Sequence, residues 1–158
     1  MERKIAPCLW FEGNAVEAID YYGGIFEDVR ITATDHYTEA RPLPESTVVF
    51  VEFTIDGNDF QAINAGPEFS FTDALSLSID CNDQVEVDDF WEKLGAEGEY
   101  GPCGWLKDIY GLSWQVTPRR LSELARDPNK VKANAVMNAM LQMGKIDVAE
   151  LEAAFANA

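Results

Sequence analysis

Two seven-residue segments, Val16-Glu17-Ala18-Ile19-Asp20-Tyr21-Tyr22 and Val85-Glu86-Val87-Asp88-Asp89-Phe90-Trp91, share the pattern V-E-x-x-D-aromatic-aromatic at an offset of 69 residues. Each follows a strand-like run. Ile5 to Phe11 is almost continuously apolar, and Leu75, Leu77, Ile79 and Cys81 alternate with Ser76, Ser78, Asp80 and Asn82. Each also opens on a capping residue with a glutamate three positions later, Asn14 with Glu17 and Asp83 with Glu86, the spacing of a capping box. Self-similarity at one fixed offset indicates a duplicated supersecondary unit. The chain is therefore constrained to two modules that each begin strand, then helix.

The rest of each module follows from periodicity. Ala15, Ile19, Tyr22 and Phe26 recur at helical intervals, as do Val87, Phe90, Trp91 and Leu94. A strand is expected from Arg30 to His36, and Arg41-Pro42-Leu43-Pro44 then marks a loop. Val49, Val51, Phe53 and Ile55 alternate with Phe50, Glu52, Thr54 and Asp56, a strand with one buried face. Asp56-Gly57-Asn58-Asp59 turns it into a second run, Phe60 to Asn64, and Gly66-Pro67 ends the unit. After Pro118 only helical patterns remain. Asp127 is the expected N-cap with Pro128 at the first helical position, Val136, Ala139, Met140 and Met143 form one stripe, and Gly144 ends the helix. Asp147 with Glu150 opens a last helix carrying Val148, Leu151 and Phe155. This tail is expected to pack on the sheet or on a partner subunit.

Composition narrows the function. A hydrophobic share of 47% supports a core without staples, and a formal charge of −16 disfavours nucleic acid and anionic bilayers as partners. The apolar stretch after Met1-Glu2-Arg3-Lys4 is short and interrupted by Pro7 and Glu12, so neither a signal peptide nor a membrane span is expected and the protein is placed in the cytoplasm. Cys8, Cys81 and Cys103 are odd in number and widely spaced, which suits reduced thiols better than a disulfide frame or a zinc site.

Several strings carry a family resemblance: Pro7-Cys8-Leu9-Trp10-Phe11-Glu12-Gly13-Asn14-Ala15, Gly101-Pro102-Cys103-Gly104-Trp105-Leu106-Lys107-Asp108, Tyr110-Gly111-Leu112-Ser113-Trp114-Gln115-Val116 and Met140-Leu141-Gln142-Met143. They resemble the PhnB-like branch of the vicinal-oxygen-chelate superfamily, which carries a 3-demethylubiquinone-9 3-methyltransferase label. The resemblance implies an α+β fold in which two tandem βαβββ modules form a curved mixed sheet around a cavity. Residues 1–120 would be that domain, with modules of about 1–67 and 68–120, and residues 121–158 its helical extension.

Enzymes of this superfamily hold a divalent metal with histidine and glutamate so that it chelates vicinal substrate oxygens. Carried onto this chain, the two histidine positions fall at Pro7 and Ser76 and the two glutamate positions at Gln61 and Gln115. Proline has no ligating side chain, and neutral serine and glutamine lack the charge that offsets dehydration of a dication. The resemblance thus implies a degenerate metal site with no cofactor and no metal.

The resulting expectation is a small-molecule-binding protein whose cavity residues are Pro7, Trp10, Gln61, Asn64, Ser76, Trp105, Trp114 and Gln115, with no catalytic residue assigned. The tryptophans and Tyr110 would supply apolar surface and the amides and hydroxyl orientation. The alternative is an enzyme on a small organic substrate, whether glyoxalase-, lyase- or dioxygenase-like or the labelled methyltransferase, although no G-x-G-x-G turn of the usual S-adenosylmethionine site is present. His36, the one histidine, and Cys103, in a glycine-flanked turn near Lys107, are read as ordinary structural residues rather than base and nucleophile. A homodimer is expected from apolar sheet edges and from Met140, Met143 and Phe155 on the tail.

Overall fold

A computed structural model describes residues 4–37 and 47–158; the first three residues and the expected loop at 41–44 lie outside this range. The chain divides after Ser70 into two compact units.

The first unit runs β1 (Cys8–Phe11), α1 (Ala15–Gly23), β2 (Val29–His36), β3 (Val48–Ile55) and β4 (Asn58–Asn64). Its sheet has the order β1-β4-β3-β2, with β1 parallel to β4 and the other pairs antiparallel. The alternation in β3 acts as its sequence indicates. Val51, Phe53 and Ile55 are buried on the side where α1 sets Ala15, Ala18, Ile19 and Tyr22. Each such large side chain contributes roughly 1.5–3 kcal/mol of burial. Ile55 pairs with Asn58, so Asp56-Gly57 is a two-residue hairpin loop, and its φ angles of 46° and 73° are the doubly positive pair of a type I′ turn. β4 accordingly starts at Asn58, two residues earlier than the apolar run indicates.

The second unit repeats the plan as β5 (Ser76–Cys81), α2 (Gln84–Gly95), β6 (Glu99–Tyr100), β7 (Trp105–Lys107) and β8 (Ser113–Pro118), in the matching order β5-β8-β7-β6. Both units are thus βαβββ modules with mixed four-stranded sheets. α2 buries Val87, Trp91 and Leu94 and packs on β5, β7 and β8. Asp83 caps it by accepting the Glu86 N–H at 3.0 Å, and the Glu86 carboxylate takes the Asn82 N–H at 2.7 Å. Asn14 makes no such bond in α1. The Ala15 N–H goes instead to Asn64 Oδ1, on β4, at 3.0 Å.

Three tail helices, α3 (Arg119–Ala125), α4 (Lys130–Met140) and α5 (Val148–Ala156), complete this second unit. α4 begins later than its sequence suggests. Asn129 rather than Asp127 is the N-cap, accepting from Val131 and Lys132, while the Asp127 carboxylate takes the Asn129 N–H at 2.8 Å. The expected stripe packs within its own unit: Met143 is buried with Leu121, Leu124, Val136, Ile146 and Leu151, and Met140 and Phe155 lie against that cluster. The tail therefore supplies no free apolar face for a dimer at those residues. It is stitched to the module by Cys103 N–H to the Met143 carbonyl and Gly104 N–H to the Gly144 carbonyl, both 2.7 Å. The Gln84 amide adds a bond in each direction, to the Ile146 carbonyl and from the Val148 N–H. No helix among the described residues is long and apolar enough to cross a membrane.

Candidate functional site

Strand register sorts the second sheet into two faces. On the α2 side run Leu77, Trp114, Leu106 and Tyr100; on the other run two rows, Ser76-Ser113-Lys107-Glu99 and Ser78-Gln115-Trp105. The open face is therefore polar with one large aromatic residue, although it belongs to a β-sheet whose opposite face is apolar. Polar groups so placed need hydrogen-bond partners, from the protein, from water or from a ligand.

Beside this face, and reaching round the sheet edge to Tyr100 and Leu106, lies a recess of about 480 Å³, within the range of small-molecule sites, lined also by Asp73, Glu99, Trp105, Lys107 and Ser113 and by the turn at residues 101–103. Lys107 Nζ pairs with Asp73 Oδ1 at 3.1 Å, and the Ser113 hydroxyl donates to the same oxygen at 3.1 Å. Those two hydrogen bonds, Lys107 first, hold the Asp73 carboxyl below its ordinary value, so it stays ionised at neutral pH. Next to them the Gln115 amide donates to Ser76 Oγ at 2.8 Å. That bond leaves the serine proton and the glutamine carbonyl free to bond a third partner.

Backbone geometry fixes the recess wall. Cys103 and Gly104 have φ of 59° and 81°, and a Cβ on Gly104 would lie 2.8 Å from the Val116 carbonyl, so that position accepts only glycine without a shift. The Trp105 strand is then held by Asp108, whose buried carboxylate accepts from the N–H groups of Tyr110 and Leu112 and from Trp114 Nε1 at 2.8 Å.

The residues expected in the cavity separate into several kinds. Ser76 and Gln115 are brought together, and Trp105 lies in the row of Gln115. Trp114 lies on the α2 side instead, 2% exposed and bonded to Asp108. In the first unit Gln61 pairs with Cys8 and Glu52, on the face away from α1, and its N–H donates to the carbonyl of Pro7 at 2.9 Å; Pro7 itself precedes β1 and is exposed. Trp10 donates to the Gly66 carbonyl at 2.9 Å and meets Phe69 edge to face. Asn64 is buried, holding Ala15 and Val48. His36 ends β2 and Cys103 borders the recess with its side chain partly exposed. Asp73 and Glu99 are not singled out by the sequence, and Lys107 is singled out only as a neighbour of Cys103. For Lys107 a signal existed, since it stands two residues after Trp105 and so shares its face.

The donors do not fit a glyoxalase-type metal. The four carried-over positions offer a proline, a hydroxyl and two neutral amides, and no group of three or more His, Cys, Asp and Glu that could hold an ion occurs among the described residues.

A duplicated βαβββ plan with helices on one face of each mixed sheet is the fold of vicinal-oxygen-chelate proteins, and solved structures share it. The fosfomycin resistance protein FosX from Listeria monocytogenes, solved with Mn(II) and sulfate, matches at TM-score 0.52 and 14% identity over 72% of this chain and 89% of its own. A Pseudomonas aeruginosa protein matches at TM-score 0.60 and 18% identity, over 74% and 98%. Within that class the chain belongs to the 3-demethylubiquinone-9 3-methyltransferase family, PhnB-like, whose model matches residues 3–117. The PhnB protein of Bacillus cereus, which bears the same methyltransferase label, is 35% identical over 73% of this chain and 99% of its own, at TM-score 0.64. The family match ends ahead of α3, so the Met140-Leu141-Gln142-Met143 string lies outside it. No curated protein matches significantly.

Proposed function

We propose that this protein binds a small organic molecule on the open face of its second sheet, with Trp105 as apolar surface and Ser76, Gln115 and Ser113 as orienting groups. The observation that carries the reading is a recess of about 480 Å³ bordered by the Trp105 indole and the Ser113 hydroxyl, on the sheet face where the neighbouring pair of Ser76 and Gln115 retains hydrogen-bonding capacity. The vicinal-oxygen-chelate fold supports it, since FosX from Listeria monocytogenes, on that fold, was solved with Mn(II) and a dihydroxypropylphosphonic acid. Binding runs without a metal, since none of the carried-over positions Pro7, Ser76, Gln61 and Gln115 supplies a charged ligand, and anions are disfavoured by the charge of −16. Gln61 and Trp10 lie on the corresponding face of the first sheet and are proposed as contacts of a separate ligand there, whereas Asn64 and Trp114 act as structural residues.

The protein is further proposed to act in the cytoplasm, which suits three free thiols, and as a homodimer joined through apolar surface such as Leu75 and Phe69. A monomeric mass by light scattering at micromolar concentration would exclude the dimer.

A thermal-shift screen of neutral, cationic and anionic small molecules, with S-adenosylmethionine included, tests the binding function on wild type, Trp105→Ala and Gln115→Ala. Hits that stabilise wild type and are lost in both variants support it. Stabilisation by S-adenosylmethionine with methyl transfer to a hit would replace it with the enzymatic alternative, and no hit at all would remove it.

A further inference from the structure

We infer that the recess of the second sheet takes a small organic cation, a protonated amine on an apolar or aromatic body. This rests on the binding function proposed above and specifies its ligand.

The charged side chains lining the recess are Asp73, Glu99 and Lys107. Two of them neutralise each other, because Lys107 Nζ lies 3.1 Å from the Asp73 carboxylate and the Ser113 hydroxyl secures the same oxygen. The Asp73 carboxylate beside Lys107 offsets most of the attraction that its ammonium would exert on a ligand anion. The charge left over belongs to Glu99. It stands opposite Lys107 on the edge strand β6 and is exposed, and its carboxylate makes no hydrogen bond or ion pair with any described residue.

Trp105 borders the same recess, and the negative face of an indole attracts a cation within about 6 Å of its centroid. Glu99 and Trp105 thus favour the same ligand charge by independent physics, one a full charge and the other a quadrupole. The net charge of −16 adds a field that concentrates cations and repels anions over the whole surface. A neutral ligand would gain from none of these.

Isothermal titration of the full chain at low ionic strength with phenethylamine, 2-phenylethanol and 3-phenylpropionate holds the ring constant and varies the charge. The amine is expected to bind about fivefold tighter than the alcohol, the combined yield of one exposed cation–π contact and one exposed ion pair, with the carboxylate weakest. In Glu99→Gln the amine-to-alcohol ratio is expected to fall to within about twofold, with an unchanged melting temperature because the side chain is exposed. Alcohol or carboxylate binding as tightly as the amine overturns the cation assignment while leaving the binding function intact. An amine preference that survives Glu99→Gln overturns the assignment to Glu99, and heats absent with all three ligands overturn both the inference and the function beneath it.

Discussion

Asn64 Oδ1 accepts the Ala15 N–H at 3.0 Å while its amide nitrogen donates to the Val48 carbonyl at 3.2 Å, so one side chain at the end of β4 caps α1 and ties the start of β3. Asn14, directly before the helix, makes no side-chain cap bond. Asn64→Ala orphans both groups, and loss of a cap plus a second buried hydrogen bond is expected to cost about 2 kcal/mol. Urea denaturation checks this. A loss under 0.5 kcal/mol, or a specific loss of ligand hits with stability intact, would return Asn64 to the binding site.

Gly95 makes room for Tyr100. A Cβ there would overlap Tyr100 Cε1, and that ring is stacked on Trp91 with centroids 5.0 Å apart. Gly95→Ala would gain about 1 kcal/mol of helix propensity in α2 but lose more to overpacking, for a net destabilisation of about 1–2 kcal/mol. In a Tyr100→Ala background the obstacle is gone and the same substitution is expected to stabilise. A double-mutant cycle by urea denaturation reads this reversal of sign; equal effects in the two backgrounds would show that the ring is not the obstacle.

Cys81 links stability to alkaline pH. Burial, then the carboxylates of Glu86, Asp80 and Asp83, push its thiol up to about 12. An unfolded thiol ionises near 8.5. Because the folded value is the raised one, this contribution is fully present below the unfolded value and is lost as pH climbs toward 12. Between pH 9 and 11 wild type should lose stability relative to Cys81→Ala by up to about 1.4 kcal/mol per pH unit. Parallel pH profiles for the two proteins would contradict the shift.

The duplicated architecture was legible because its determinants are local. Alternation in β3, the Asp56-Gly57 turn and the Asp83 cap each act over a few residues. The residues whose partners the sequence does not show depend on distant contacts. Asn64 reads as a polar strand residue available to a ligand, yet its partners lie 49 and 16 positions away, and no local pattern marks them. Trp114 reads as a cavity residue together with Gln115, although neighbours on one strand point to opposite faces, an alternation the sequence itself carries. The Met140 and Met143 stripe is amphipathic whichever core it joins, so periodicity could not choose between its own unit and a partner. Glu99 sits on a strand of two residues, too short to show any period.

Metal content provides an independent check. Protein purified without chelator is expected to carry well under one equivalent of zinc, nickel or manganese, and chelator treatment to leave its melting temperature unchanged, since no charged ligand occupies Pro7, Ser76, Gln61 or Gln115. One equivalent of metal that is lost in Gln115→Ala would show that the amide is a ligand after all.

The binding face is tested most directly by nitrogen–proton correlation spectra of the protein titrated with a thermal-shift hit. Saturable shifts of the Trp105 indole and the Gln115 side-chain amide are expected, with the Trp114 indole, held by Asp108 on the α2 side, left in place. Shifts that move Trp114 and the α2 core while sparing Trp105 and Gln115 would contradict it.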